Sequence, residues 1–204
     1  MKTLYIVFSA TGYKTGRFIR VVTRGSYNHV SVALDPDLCE VYSFGRLKRG
    51  MPFCAGFVRE GAERFRWNNS MARIAVCAVD IDDARMEEVR RRLDEMCSGQ
   101  KKYVYNMISA VCVPFRRQIV IRDSYTCIEF ALSILKTAGL PLGDSYYSIT
   151  DLYELLRHCE IYRGEYPASA YEVDSSYNDD VPMRTCVSET TRQLWRLTYR
   201  FVRH

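Results

Sequence analysis

Cys127 and His29 are the residues of this chain whose type and spacing suit covalent chemistry. The segment Ser124-Tyr-Thr-Cys-Ile-Glu129 precedes the apolar run Phe130-Ala-Leu-Ser-Ile-Leu135, and Thr126 and Glu129 make the Thr-x-x-Glu pattern of a capping box. The pattern predicts a helix whose first residue is Cys127. A thiol there faces backbone N–H groups without intrahelical partners and the positive end of the helix dipole, both of which favour thiolate. The same N–H groups can hold an oxyanion while a carbonyl is attacked. A second reading stays open. The chain has eight cysteines, several in apolar stretches where cysteine is simply a small hydrophobe, and Cys127 can be one more of these.

A nucleophilic thiol also needs a base, and only His29, His158 and His204 are available. His204 is terminal. His158 closes an amphipathic helix, where a cation suits the C-terminal carbonyls. His29 opens a strand directly after the turn Gly25-Ser-Tyr-Asn28, an edge position from which an imidazole can point over a neighbouring helix N-terminus. A structural histidine at a strand start fits the same spacing.

The elements that must position these two side chains can be read from periodicity. Residues 4–8 form a buried strand and 16–23 a short helix with Phe18, Val21 and Val22 on one face. Residues 29–34 and 39–44 alternate as antiparallel strands around the turn at Asp35-Pro-Asp37. Residues 50–61 read as a Gly- and Pro-containing loop, 72–79 as a strand, and 82–97 as a helix with Met86, Val89, Leu93 and Met96 on its apolar face. Helices are expected at 106–113, after Tyr125 and at 151–158, with strands at 119–122 and 160–162. The expected class is α+β, an antiparallel sheet packed against helices. Residues 1–165 read as one domain. Residues 166–204 read as a polar loop, acidic over 168–181, and an amphipathic C-terminal helix over 189–203 docked on that domain.

Composition excludes several classes. The 204 residues are 48% apolar or aromatic, and 29 Lys plus Arg against 24 Asp plus Glu give a net charge of +5, too mild for a protein defined by phosphate binding. Arg90, Arg91, Arg92, Arg116 and Arg117 fall on solvated faces without an aromatic-interleaved motif, so no nucleic-acid partner is expected. No apolar run reaches the 18 residues of a membrane span, and no small-residue cleavage site follows a hydrophobic segment. The expectation is a cytoplasmic protein with reduced thiols and no transmembrane segment. No Cys-x-x-Cys or Cys-x-x-His pair occurs, so no metal is expected, and no cofactor.

Three motifs in order, Gly25-Ser-Tyr-Asn-His29-Val-Ser-Val-Ala-Leu34, Val41-Tyr-Ser-Phe-Gly-Arg46 and Tyr125-Thr-Cys127-Ile-Glu-Phe130, resemble the circularly permuted NlpC-type cysteine peptidases of the papain-like superfamily. Lecithin retinol acyltransferase-like proteins share the permuted order and are similar more distantly. The resemblance runs loosely from Leu4 to about Gly164. It implies a papain-like fold in which Cys127 attacks a carbonyl, His29 moves the proton, and a polar residue on the next strand orients the imidazole. If Val30, Val32 and Leu34 share a face with Tyr42 and Phe44, Ser43 is that residue; a one-residue shift of the hairpin would present Glu40 instead. Tyr125 is a candidate donor to the oxyanion or substrate, or a packed ring. The functional expectation is a Cys–His hydrolase or acyltransferase, peptidase- or amidase-like, that acts on an amide or ester of a peptide, wall-fragment or acylated small molecule through a thioester. The alternative is a non-catalytic binding domain that keeps the cleft. Fold kinship alone does not choose the substrate.

Overall fold

The structure, a computed structural model, describes residues 1–11, 25–47, 54–67, 70–167 and 183–202. Four strands come first: β1 (Lys2–Ala10), β2 (His29–Ala33), β3 (Val41–Arg46) and β4 (Ala55–Glu60). A small hairpin of β5 (Arg66–Trp67) and β6 (Ser70–Met71) leads into the long β7 (Arg73–Ile81) and then α1 (Asp83–Ser98). The second half runs β8 (Val104–Tyr105), α2 (Met107–Cys112), β9 (Ser124–Tyr125), α3 (Cys127–Thr137), α4 (Ile149–Leu156), β10 (Glu160–Glu165) and α5 (Met183–Val202). The main sheet has the order β10-β7-β1-β2-β3-β4-β8-β9. Its pairings are antiparallel except β8 with β9. The class is therefore α+β.

Alternation sorts the two faces of the sheet. Leu4, Ile6 and Phe8 of β1 join Val30, Val32, Tyr42, Phe44 and Phe57 in the large core shared with α1 and α3, whose Met86, Val89, Leu93, Met96, Phe130, Ile134 and Leu135 are buried there. The rings of Phe44 and Phe57 pack on Phe130 at 5.5 and 5.8 Å between centroids. Burying a side chain such as Phe130 stabilises by about 1.5–3 kcal/mol, so this contact fixes where α3 begins relative to β2 and β3. The opposite face carries Val7, Ala33, Val41, Ile74 and Val76 beneath Phe65 and Tyr166.

The hairpin register matches the alternation in the sequence: Val32 lies opposite Tyr42 and Ala33 opposite Val41. The reading of 50–61 as loop is corrected, because Ala55–Glu60 pairs along its whole length with β3 and buries Phe57 and Val58. Strand formation at 119–122 is also corrected. Only Ile121 makes a bridge, to Ser124, and the segment turns back through Asp123, whose φ is 52°. The helix expected at 16–23 and the acidic stretch at 168–181 lie outside the described residues. The C-terminal helix starts earlier than its periodicity suggested, at Met183. Leu197 buries against Val104 and Ile121, while Arg200 donates to the carbonyls of Lys102, Arg122 and Asp123. No helix among the described residues is long and apolar enough to cross a membrane.

Candidate active site

Cys127 is the first residue of α3, and the capping box ahead of it is complete: the Glu129 N–H donates to Thr126 Oγ1, and the Thr126 N–H donates to Glu129 Oε2 at 2.7 Å. A wider network braces the same carboxylate. Ser109 Oγ and Asn106 Nδ2 both donate to Glu129, and each also holds Ile119 by its backbone. Burial pushes the Glu129 carboxyl above the usual carboxylate range, and hydrogen bonds from Ser109, Thr126 and Asn106 pull against that rise. The turn that carries Cys127 is therefore held by buried, satisfied polar groups rather than by a solvent-exposed cap.

His29 stands beside the Cys127 thiol and is hydrogen-bonded through Nε2 to Glu60 Oε1 at 2.8 Å. Glu60 ends β4 and is 2% exposed. It accepts from Ser43 Oγ at 2.8 Å, from Ser31 Oγ, and from Arg64 Nε at 3.4 Å. An ionised carboxylate only accepts, so the shared proton sits on Nε2 and leaves Nδ1 to exchange a proton with sulfur. Burial alone would depress the His29 pKa; the Glu60 charge outweighs it, aided by the bonds to Cys127 and Glu60, and raises it to about 10. For Glu60 burial pushes upward, yet the His29 charge, with its hydrogen bond and Arg64, brings it down to about 2. At neutral pH the pair is imidazolium and carboxylate.

This pairing makes stability depend on pH in both directions. The raised His29 value means its contribution is complete below 6.5 and fades as pH climbs through about 10. The lowered Glu60 value means its contribution is complete above 4.5 and fades as pH falls through about 2. Denaturant titrations across this range should show the difference between the wild type and Glu60→Gln largest from pH 4.5 to 6.5 and shrinking on both sides. A difference that is flat with pH would separate the pair from stability.

The orienting position is a correction to the sequence reading. Ser43 lies on the expected face, but its hydroxyl bonds Glu60 and so acts one step behind the carboxylate. Glu40 lies outside β3 and faces Arg90 at 3.6 Å, with both side chains well exposed. The partner of His29 comes from β4, one strand further than expected. Of the two alternatives for Tyr125, the structure has the packed ring: it lies on Phe44 at 5.3 Å and borders a separate depression with Glu88, Arg92 and Tyr103. Its parallel-strand partner, Tyr105, lines the cleft instead. Burial raises the Tyr105 phenol above its ordinary value, and the nearby Cys127 and Glu129 charges add to the rise. A phenol kept neutral beside the thiol is a competent hydrogen-bond donor.

Cys127, His29, Glu60 and Tyr105 open onto one cavity of about 370 Å³. Its walls include Phe44, Phe65, Met107, Val113, Ile128 and Ile149, so they are largely apolar. The first turns of α3 and α4 both line it, through Thr126 to Ile128 and through Ser148 and Ile149. Asn28 anchors the approach to β2: its side chain accepts from the Thr11 N–H and donates to the Thr11 carbonyl, each at 2.9 Å. Gly45 lets the Arg64 guanidinium approach Glu60, since a Cβ there would sit 2.9 Å from Arg64 Nη2, with His29 Cε1 in ordinary contact at 3.6 Å. Cys39, Cys54, Cys77, Cys97, Cys112, Cys127 and Cys159 are free thiols.

Comparison with family models, with curated proteins and with solved structures finds no match to this chain.

Proposed function

We propose that this protein is a cysteine-nucleophile hydrolase or acyltransferase that cleaves an amide or ester through a thioester on Cys127. The observation that carries the reading is a helix-capped thiol beside an imidazole whose other nitrogen is bound to a buried carboxylate. Cys127 Sγ attacks the acyl carbon, and the carbonyl π electrons move to oxygen. Backbone N–H groups of the first turn of α3, with the Tyr105 hydroxyl, stabilise that oxyanion. His29 gives its Nδ1 proton to the leaving amine or alcohol as the C–N or C–O bond breaks. Water or an acceptor hydroxyl then loses its proton to His29, attacks the thioester and frees the sulfur.

The histidine-before-cysteine order and the three motifs support placing the chain with permuted NlpC-type, papain-like enzymes. A buried carboxylate hydrogen-bonded to His29 supports catalysis over the reading of a non-catalytic binding domain. The largely apolar cleft suits a peptide or acylated small molecule better than a strongly charged one. The test is a panel of activated acyl esters and amides read by intact mass. An acyl adduct that maps to Cys127 and disappears in Cys127→Ala is expected. Adducts on other residues only, or none across the panel, would count against an acyl-enzyme.

A further inference from the structure

Residues 106–122 contain three arginines and no acidic residue. They form α2, a one-turn continuation over 113–115 and a return to Ile121. The return is pinned at its base: Ile119 N–H donates to Ser109 Oγ at 3.0 Å, and Asn106 Nδ2 donates to the Ile119 carbonyl at 2.8 Å. Its side chains are largely exposed on both sides of the pinned Ile119. Phe115 is 74% exposed, Val111 69% and Val120 71%, and Pro114 to Gln118 are all exposed. Arg116, at the tip with φ of 51°, reaches Asp151 at 3.1 Å and lies over the Tyr146 ring. Arg117 has no ion-pair partner among the described residues, and Arg122 is 3.8 Å from Asp123.

An aromatic and two valines held out beside arginines make a poor resting surface in water. They are also too few for a stable protein interface, which takes about 800 Å² from each partner. A lipid surface asks for less: a few apolar side chains entering the headgroup boundary, with basic groups meeting anionic headgroups. The other side of α2 is a wall of the cleft, through Met107, Ala110 and Val113. A surface reached by Phe115 would therefore lie next to the mouth of the site.

We propose that the 111–122 segment docks the protein on anionic lipid surfaces, with Phe115 and Val120 entering the headgroup layer and Arg117 and Arg122 against the lipid charges. Binding does not depend on the chemistry at Cys127, so the docking proposal can fail while the acyl-enzyme stands, and the reverse.

The test uses the full chain in flotation with vesicles of phosphatidylcholine alone and with 30% phosphatidylglycerol. Binding to the anionic vesicles is expected, weak on the neutral ones and falling with salt. Arg117→Glu should weaken it by about fivefold or more, since each basic group near an anionic surface carries about one such factor, and Phe115→Ser should weaken it by about tenfold. Both side chains are exposed, so unchanged melting and unchanged turnover of a soluble ester are expected. No flotation, equal flotation on neutral vesicles, or full binding by both variants would overturn the proposal. So would a dimer in solution that Phe115→Ser dissolves, because the patch would then belong to a second copy of the chain.

Discussion

Replacing Glu60 with alanine should cost about 3–5 kcal/mol of stability, the typical penalty for removing one partner of a buried, hydrogen-bonded ion pair. The substitution leaves His29, Ser31, Ser43 and Arg64 without the acceptor they share. Urea titration should show the midpoint fall with an unchanged slope. Glu60→Gln keeps the shape and one carbonyl acceptor, so it should fold with a smaller loss. In that variant the His29 pKa should drop towards 6.5, because the charge that raises it is gone. Turnover should fall by about 10²- to 10⁴-fold as the imidazole loses its fixed proton and orientation. A Glu60→Gln variant of normal stability, with normal turnover and an unmoved histidine titration, would remove Glu60 from the site.

His29→Ala should lower turnover by a similar 10²- to 10⁴-fold. The structure adds an effect that the strand position alone did not suggest: the variant leaves Glu60 buried with only Arg64 and two hydroxyls to balance it. Folding should therefore weaken as well. His29→Gln separates the two roles, since its amide can still donate to Glu60 but cannot shuttle a proton. It should be more stable than His29→Ala and equally inactive. The double variant His29→Ala with Glu60→Ala should lose less stability than the two single losses added, because each single change strands the other's partner. Additive losses, or an active His29→Gln, would contradict the assigned pairing.

Local features of the site were legible in the sequence, and pairings over distance were not. The start of α3 at Cys127 follows from four consecutive residues, because a capping box is a local hydrogen-bond pattern. The β2–β3 register follows from alternation within one hairpin. Glu60 was missed because its role depends on a third strand. The glycine and proline before Cys54 read as a loop, and the six-residue strand after it is too short for its alternation to outweigh them. A signal was present nonetheless: Ala55-Gly-Phe-Val-Arg-Glu60 ends an apolar stretch in an acid, and strand pairing with β3 buries that acid. Tyr105 was hidden for a related reason. Its strand is two residues long and is defined by long-range pairing, Val104 opposite Gly56 of β4 and Tyr105 opposite Tyr125 of β9.

Alkylation of the native protein tests the central claim most directly, because exposure and chemistry rank the cysteines differently. Cys97 is exposed and Cys39, Cys112 and Cys159 are half-buried, whereas Cys127 is only 7% exposed. If access governed reactivity, dilute iodoacetamide at neutral pH would label Cys97 first. Peptide mapping should instead find Cys127 modified first, and His29→Gln should slow its labelling without changing the rate at Cys97. Labelling led by Cys97, or a Cys127 rate indifferent to His29, would contradict a thiol–imidazole–carboxylate site.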